Sequence, residues 1–143
     1  CVELDLAISS RRGCGLKWDF DVTILGEPAS KANSRRLVQI GGKPRVIKSK
    51  KALSYGKAFQ LQCPTLDPLL DAEGSRLLVA LDIWYSSRRP DLDESLILDL
   101  MQGFIYQNDR SVRAKIVRWH LDKENPRTRI KILMLPADYG EPA

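Results

Sequence analysis

The sequence predicts a mixed α+β domain, and three observations carry that expectation. The continuous apolar run Leu77-Leu78-Val79-Ala80-Leu81, followed by Ile83, Trp84 and Tyr85, suits a central strand covered on both sides. Two stretches, one before this run and one after it, repeat apolar residues at helical spacing. Two alternating segments then follow one another near the C-terminus with no helical pattern between them. The expected architecture is a mixed β-sheet with two main helices packed on it.

Each element has its own local reason. Residues 18–25 read as a strand, with Trp18, Phe20, Val22 and Ile24 on one face and Asp19, Asp21 and Thr23 on the other. Gly26, Pro28, Ser30 and Asn33 break it into a loop. Residues 37–40 and 45–47 pair as a small hairpin across Gly41-Gly42, a sequence suited to a primed turn. Ser49 is the N-cap of a helix that runs to Gln62 and stops at Pro64, with Ala52, Tyr55, Gly56 and Phe59 on its buried face. Residues 76–86 form the central strand. A second helix spans 92–102, ends at Gly103 and buries Ile97, Leu100, Met101 and Phe104. Residues 112–121 and 128–135 are two strands joined by a turn at Asn125-Pro126, and the first changes alternation phase at Ile116-Val117, which predicts a bulge there. Residues 1–17 read as an N-terminal extension, 18–136 as one domain and 137–143 as a C-terminal tail.

Composition narrows the class. The 143 residues are 43% hydrophobic and 29% charged, the profile of a soluble globular domain. No run approaches the roughly 18 apolar residues that span a bilayer, and no signal peptide is visible. Three cysteines without a Cys-x-x-Cys pair and one histidine argue against a disulfide framework, a structural zinc site and a multi-histidine metal centre. The expected compartment is the cytoplasm. Charge is segregated: no acidic residue lies between Glu27 and Asp67, whereas Lys31, Arg35, Arg36, Lys43, Arg45, Lys48, Lys50, Lys51 and Lys57 do. Such a footprint fits a nucleic-acid partner; its plainer reading is a solvated basic face.

Within this basic chain, Arg88-Arg89-Pro90-Asp91-Leu92-Asp93 and Asn108-Asp109 place carboxylates at the two ends of the second helix. Asp91 and Asp93, two residues apart in an extended segment, turn to one side about 7 Å apart and repel one another unless paired. A hard cation such as Mg²⁺ removes that penalty, and beside a phosphate-binding surface this is the chemistry of metal-assisted phosphodiester hydrolysis. The competing reading is structural. Asp91-Leu92-Asp93-Glu94 also fits a capping box with Asp91 as N-cap, Asp109 fits a turn, and Arg88 and Arg89 fit local partners of the acids. His120, beside Trp119 in a strand pattern, reads as a structural residue.

These residues resemble a known family. Arg89-Pro90-Asp91-Leu92-Asp93, a helix, and then Tyr106-Gln107-Asn108-Asp109-Arg110-Ser111-Val112 are similar to the signature of the RusA-type Holliday junction resolvases of phages and prophages. Gly26-Glu27-Pro28-Ala29-Ser30-Lys31 with Arg35-Arg36 resembles the family's loop after its first strand, and Lys48-Ser49-Lys50-Lys51-Ala52 with Tyr55 the start of its first helix. The likeness runs from about Trp18 to Leu135. It implies a RusA-like fold and a Mg²⁺-dependent endonuclease, with Mn²⁺ as substitute, that acts as a homodimer and nicks four-way DNA junctions symmetrically. No organic cofactor or membrane is implied. Asp91, Asp93 and Asp109 are then the catalytic and metal-binding residues, with Glu94 as a candidate fourth ligand. Lys31, Arg35, Arg36, Lys48, Lys50, Lys51, Arg88 and Arg89 are the residues that meet DNA. Two positions depart from the family pattern: Glu94 stands where the family has Asn, and Ile97 where it has a lysine. The rival expectations are a non-catalytic DNA-binding module and a metal-dependent nuclease for another branched DNA.

Overall fold

The apolar run at 77–81 forms the middle of a ten-residue strand in the computed structural model, which describes residues 17–29 and 35–142. The elements are β1 (Phe20–Leu25), β2 (Arg35–Ile40), β3 (Lys43–Lys48), α1 (Lys50–Gln62), β4 (Arg76–Tyr85), α2 (Ser95–Met101), a 3₁₀ turn (Asp109–Ser111), β5 (Val112–Leu121) and β6 (Arg127–Leu135). They build a four-stranded mixed sheet in the order β1-β6-β4-β5 and a separate β2-β3 hairpin. The class is the α+β one that the patterning predicts. The expected extension at 1–17 falls almost wholly outside the described residues, as does the loop position Lys31.

The two sheet faces differ because alternate residues of β4 point opposite ways. Leu77, Val79, Leu81, Ile83 and Tyr85 face α1 and α2 and join Phe59, Ile97, Met101, Ile130 and Ile132 in the main core. Leu78, Leu133 and Leu135 form a smaller cluster on the reverse face, against Trp18 and Tyr139. Helix α1 follows expectation closely. The Ser49 hydroxyl accepts the Ala52 N–H at 3.2 Å, and Ala52, Tyr55, Gly56 and Phe59 are its buried residues. The hairpin turn has φ of +62° at Gly41 and +77° at Gly42, the left-handed pair that a primed turn needs.

The two C-terminal strands are joined by a turn as expected, but they do not pair: β5 runs parallel to β4 on one side and β6 antiparallel to it on the other. Two expectations need correction. First, the bulge lies at Arg113, between the pairs Leu77–Val112 and Leu78–Ala114, rather than at Ile116-Val117. Second, α2 begins at Ser95, so Asp91 does not cap it. The Glu94 carboxylate turns to Lys115 at 3.0 Å instead of reaching back towards Asp91, and Leu92 is 38% exposed, leaving that turn no buried anchor. The stripe of α2 narrows accordingly: Leu96, Ile97 and Met101 are buried, whereas Leu100 and Phe104 are only partly so.

Candidate active site

The acidic segment after β4 is held at several points. The Ser86 N–H donates to Glu27 Oε1 at 2.8 Å and the Ser86 hydroxyl to the same oxygen at 2.9 Å. The Trp119 indole N–H donates to the Pro90 carbonyl at 3.0 Å, and the Asp93 N–H to the Tyr85 hydroxyl at 3.4 Å. Asp93 Oδ1 accepts the Ser95 N–H at 3.0 Å, a local turn just ahead of α2, whose N-cap Glu94 makes no side-chain capping bond. Asp91 is exposed and Asp93 half-buried. Burial pushes the Tyr85 phenol above its ordinary pKa, and the charges of Asp93, Glu27 and Glu94 add to the push.

Asp109 sits in a second anchored loop. Its fixing residue is Asp71, 8% exposed, whose carboxylate accepts the Gln107 N–H at 2.7 Å, the Asn108 N–H at 3.4 Å and the Ser111 hydroxyl at 2.6 Å. The Asn108 side chain caps the 3₁₀ turn through the Arg110 N–H at 2.9 Å, leaving Asp109 exposed. Burial raises the Tyr106 phenol, and Asp109, Asp99 and Asp71 raise it further. Asp71 gives no signal in the sequence, because its partners lie 36 to 40 positions away.

Topology sets how far these loops converge. With β4 and β5 parallel, the chain leaves β4 beside Leu121 and begins β5 beside Leu77, at opposite ends of the sheet. The segment 86–94 then folds back along β5, touching Trp119 at Pro90 and Lys115 at Glu94. Since Lys115 pairs with Val79 and Val112 with Leu77, the two loops finish about two strand residues apart in register. Even so, among the described residues no three His, Cys, Asp or Glu side chains form a group that could hold a metal ion. Carboxylate oxygens suit Mg²⁺, which is commonly held by one or two carboxylates, water and substrate phosphate. A ready three-carboxylate cage is not formed among the described residues.

Of the expected DNA-binding cations, Lys51 is tied through Glu27 to the start of the acidic loop. Lys50, Lys51, Arg88 and Arg89 are exposed, and Lys51 pairs with Glu27 at 3.1 Å. Arg35, Arg36 and Lys48 lie on the β2-β3 hairpin, where only the backbone is described. On the reverse sheet face, buried Asp82 receives Arg118 Nε at 2.7 Å and pairs with His120 Nε2 at 2.8 Å. His120 stacks on Trp84 at 4.6 Å and Arg127 lies 4.1 Å over the same ring, so the histidine is bound into a cross-strand ladder, as a structural residue would be. Burial pushes the Cys63 thiol up to about 11, which disfavours its thiolate.

Compared with known proteins, the chain matches no family model and no curated protein. No helix among the described residues is long and apolar enough to cross a membrane.

Proposed function

We propose that this chain is a structure-selective endodeoxyribonuclease of the RusA type, cytoplasmic and dimeric, that nicks four-way DNA junctions with Mg²⁺ as cofactor and Mn²⁺ as substitute. The observation that carries the reading is the independent anchoring of two acid-bearing loops, by Glu27 and Tyr85 on one side and by Asp71 on the other, beside exposed lysines and arginines. Held loops with outward carboxylates suit catalysis better than support, because nothing in the core needs Asp91 or Asp109 to be acidic. A bound Mg²⁺ would supply charge neutralisation at the scissile phosphate. The chain's own part is to hold Asp91, Asp93 and Asp109 towards that phosphate, with Glu94 drawn aside by Lys115. Lys31, Arg35, Arg36, Lys48, Lys50, Lys51, Arg88 and Arg89 meet the junction arms. Two-fold symmetry would present two sites to the paired strands.

A second reading has one observation in its favour. The Asp93 carboxylate is engaged by the Ser95 N–H at the start of α2, which suits a DNA-binding module without catalysis. A competition assay with labelled four-way junction, fork and linear duplex, run with Mg²⁺ and with EDTA, separates the readings. The nuclease reading expects Mg²⁺-dependent paired nicks, fastest on the junction. Binding without nicking supports the module, and preferred cutting of the fork points to another branched substrate.

A further inference from the structure

Glu27 and Lys51 form a grip at the start of the acidic loop. Lys50 and Lys51 open α1, and the first turn of that helix contains no acidic residue. Cations at a helix N-terminus oppose the macrodipole, so this placement breaks a local rule. Sites where a chain breaks such a rule are commonly functional. Glu27 offsets the conflict: its side chain is 17% exposed, and its Oε2 accepts Lys51 Nζ at 3.1 Å. Its other oxygen takes both the Ser86 N–H and the Ser86 hydroxyl, at the point where the chain leaves β4 for Asp91 and Asp93. One carboxylate thus ties three segments: the loop after β1, the first turn of α1 and the start of the acidic loop. Tyr85, next to Ser86, accepts the Asp93 N–H through its hydroxyl at 3.4 Å, which puts the grip beside the proposed site.

We infer that Glu27 is a positioning residue of that site, fixing the Lys51 ammonium against the start of the acidic loop so that it meets the substrate phosphate. The inference rests on the nuclease reading. Glu27→Gln is the informative change, because its amide oxygen still accepts from Ser86 while the ion pair to Lys51 is lost. The assay is single-turnover nicking of a four-way junction with Mg²⁺, junction affinity in EDTA, and the thermal midpoint, for wild type, E27Q, K51R, K51M and E27Q/K51M. The expected result is a nicking rate about tenfold lower for E27Q, with affinity near wild type and a midpoint only slightly lower, because a partly exposed ion pair adds little stability. K51R, which can keep the pair, should nick much faster than K51M. The double variant should nick about as slowly as K51M, since coupled residues are not additive. A wild-type nicking rate in E27Q overturns the inference, as does parallel loss of rate, affinity and stability, which marks a merely structural role. If the wild-type chain itself does not nick, it is the nuclease reading that falls, and the inference with it.

Discussion

At the scale of single residues, two carboxylates bind pH to stability. Burial alone would raise Glu27, but the Ser86 N–H, Lys51 and the Ser86 hydroxyl outweigh it and leave the group below its ordinary value. Asp82 behaves likewise: burial pushes up, while the hydrogen bonds of His120 and Arg118 pull further down. A carboxyl depressed in the folded state contributes stability that is complete above its unfolded pKa, about 4, and lost as pH falls through the folded value. The thermal midpoint should therefore hold level from neutral pH to about 5 and decline below about 4. Asp82→Asn should flatten that acid limb and cost about 1–3 kcal/mol at neutral pH, read by urea unfolding. Retention of the full wild-type acid limb in D82N would contradict the assignment. Little of this was legible beforehand. His120 can be read as structural from its strand position, but its partner Asp82 stands 38 positions away.

At the scale of elements, β4 was legible because an unbroken apolar run admits few other readings, and α1 because Ser49 and Pro64 bracket a clear helical stripe. The start of α2 was not. Asp91-Leu92-Asp93-Glu94 carries a local capping pattern, but Lys115, 21 positions on from Glu94, draws that carboxylate away and the helix starts without a side-chain cap. The separation of β5 from β6 was equally hidden, since Asn125-Pro126 marks a turn without saying which strand lies between its arms. Helix α2 packs through Ile97, which is fully buried between the sheet and α1. Ile97→Ala should cost about 2–5 kcal/mol in denaturant unfolding, from lost burial and the cavity left behind. A cost near zero would mean that α2 is not seated on the sheet as described.

At the scale of the whole molecule, the account joins a basic surface to two acid-bearing loops. The basic half was plain in the sequence as a stretch from Glu27 to Asp67 without an acid. How far the loops converge was not, because it follows from the parallel pairing of β4 and β5 and the return of segment 86–94. If six to ten phosphates are met, junction affinity should fall roughly 10³- to 10⁵-fold between about 50 and 200 mM salt, measured by fluorescence anisotropy in EDTA. A flat salt response would detach the basic surface from DNA. The most direct test of the central claim is the Mg²⁺-dependent nicking rate of a four-way junction by D91N, D93N and D109N, each checked for folding and for junction binding. The account predicts that every one of them binds the junction and that each loses roughly a hundredfold or more in rate, the scale of one lost charge-stabilising group. Wild-type nicking by any of the three would contradict it.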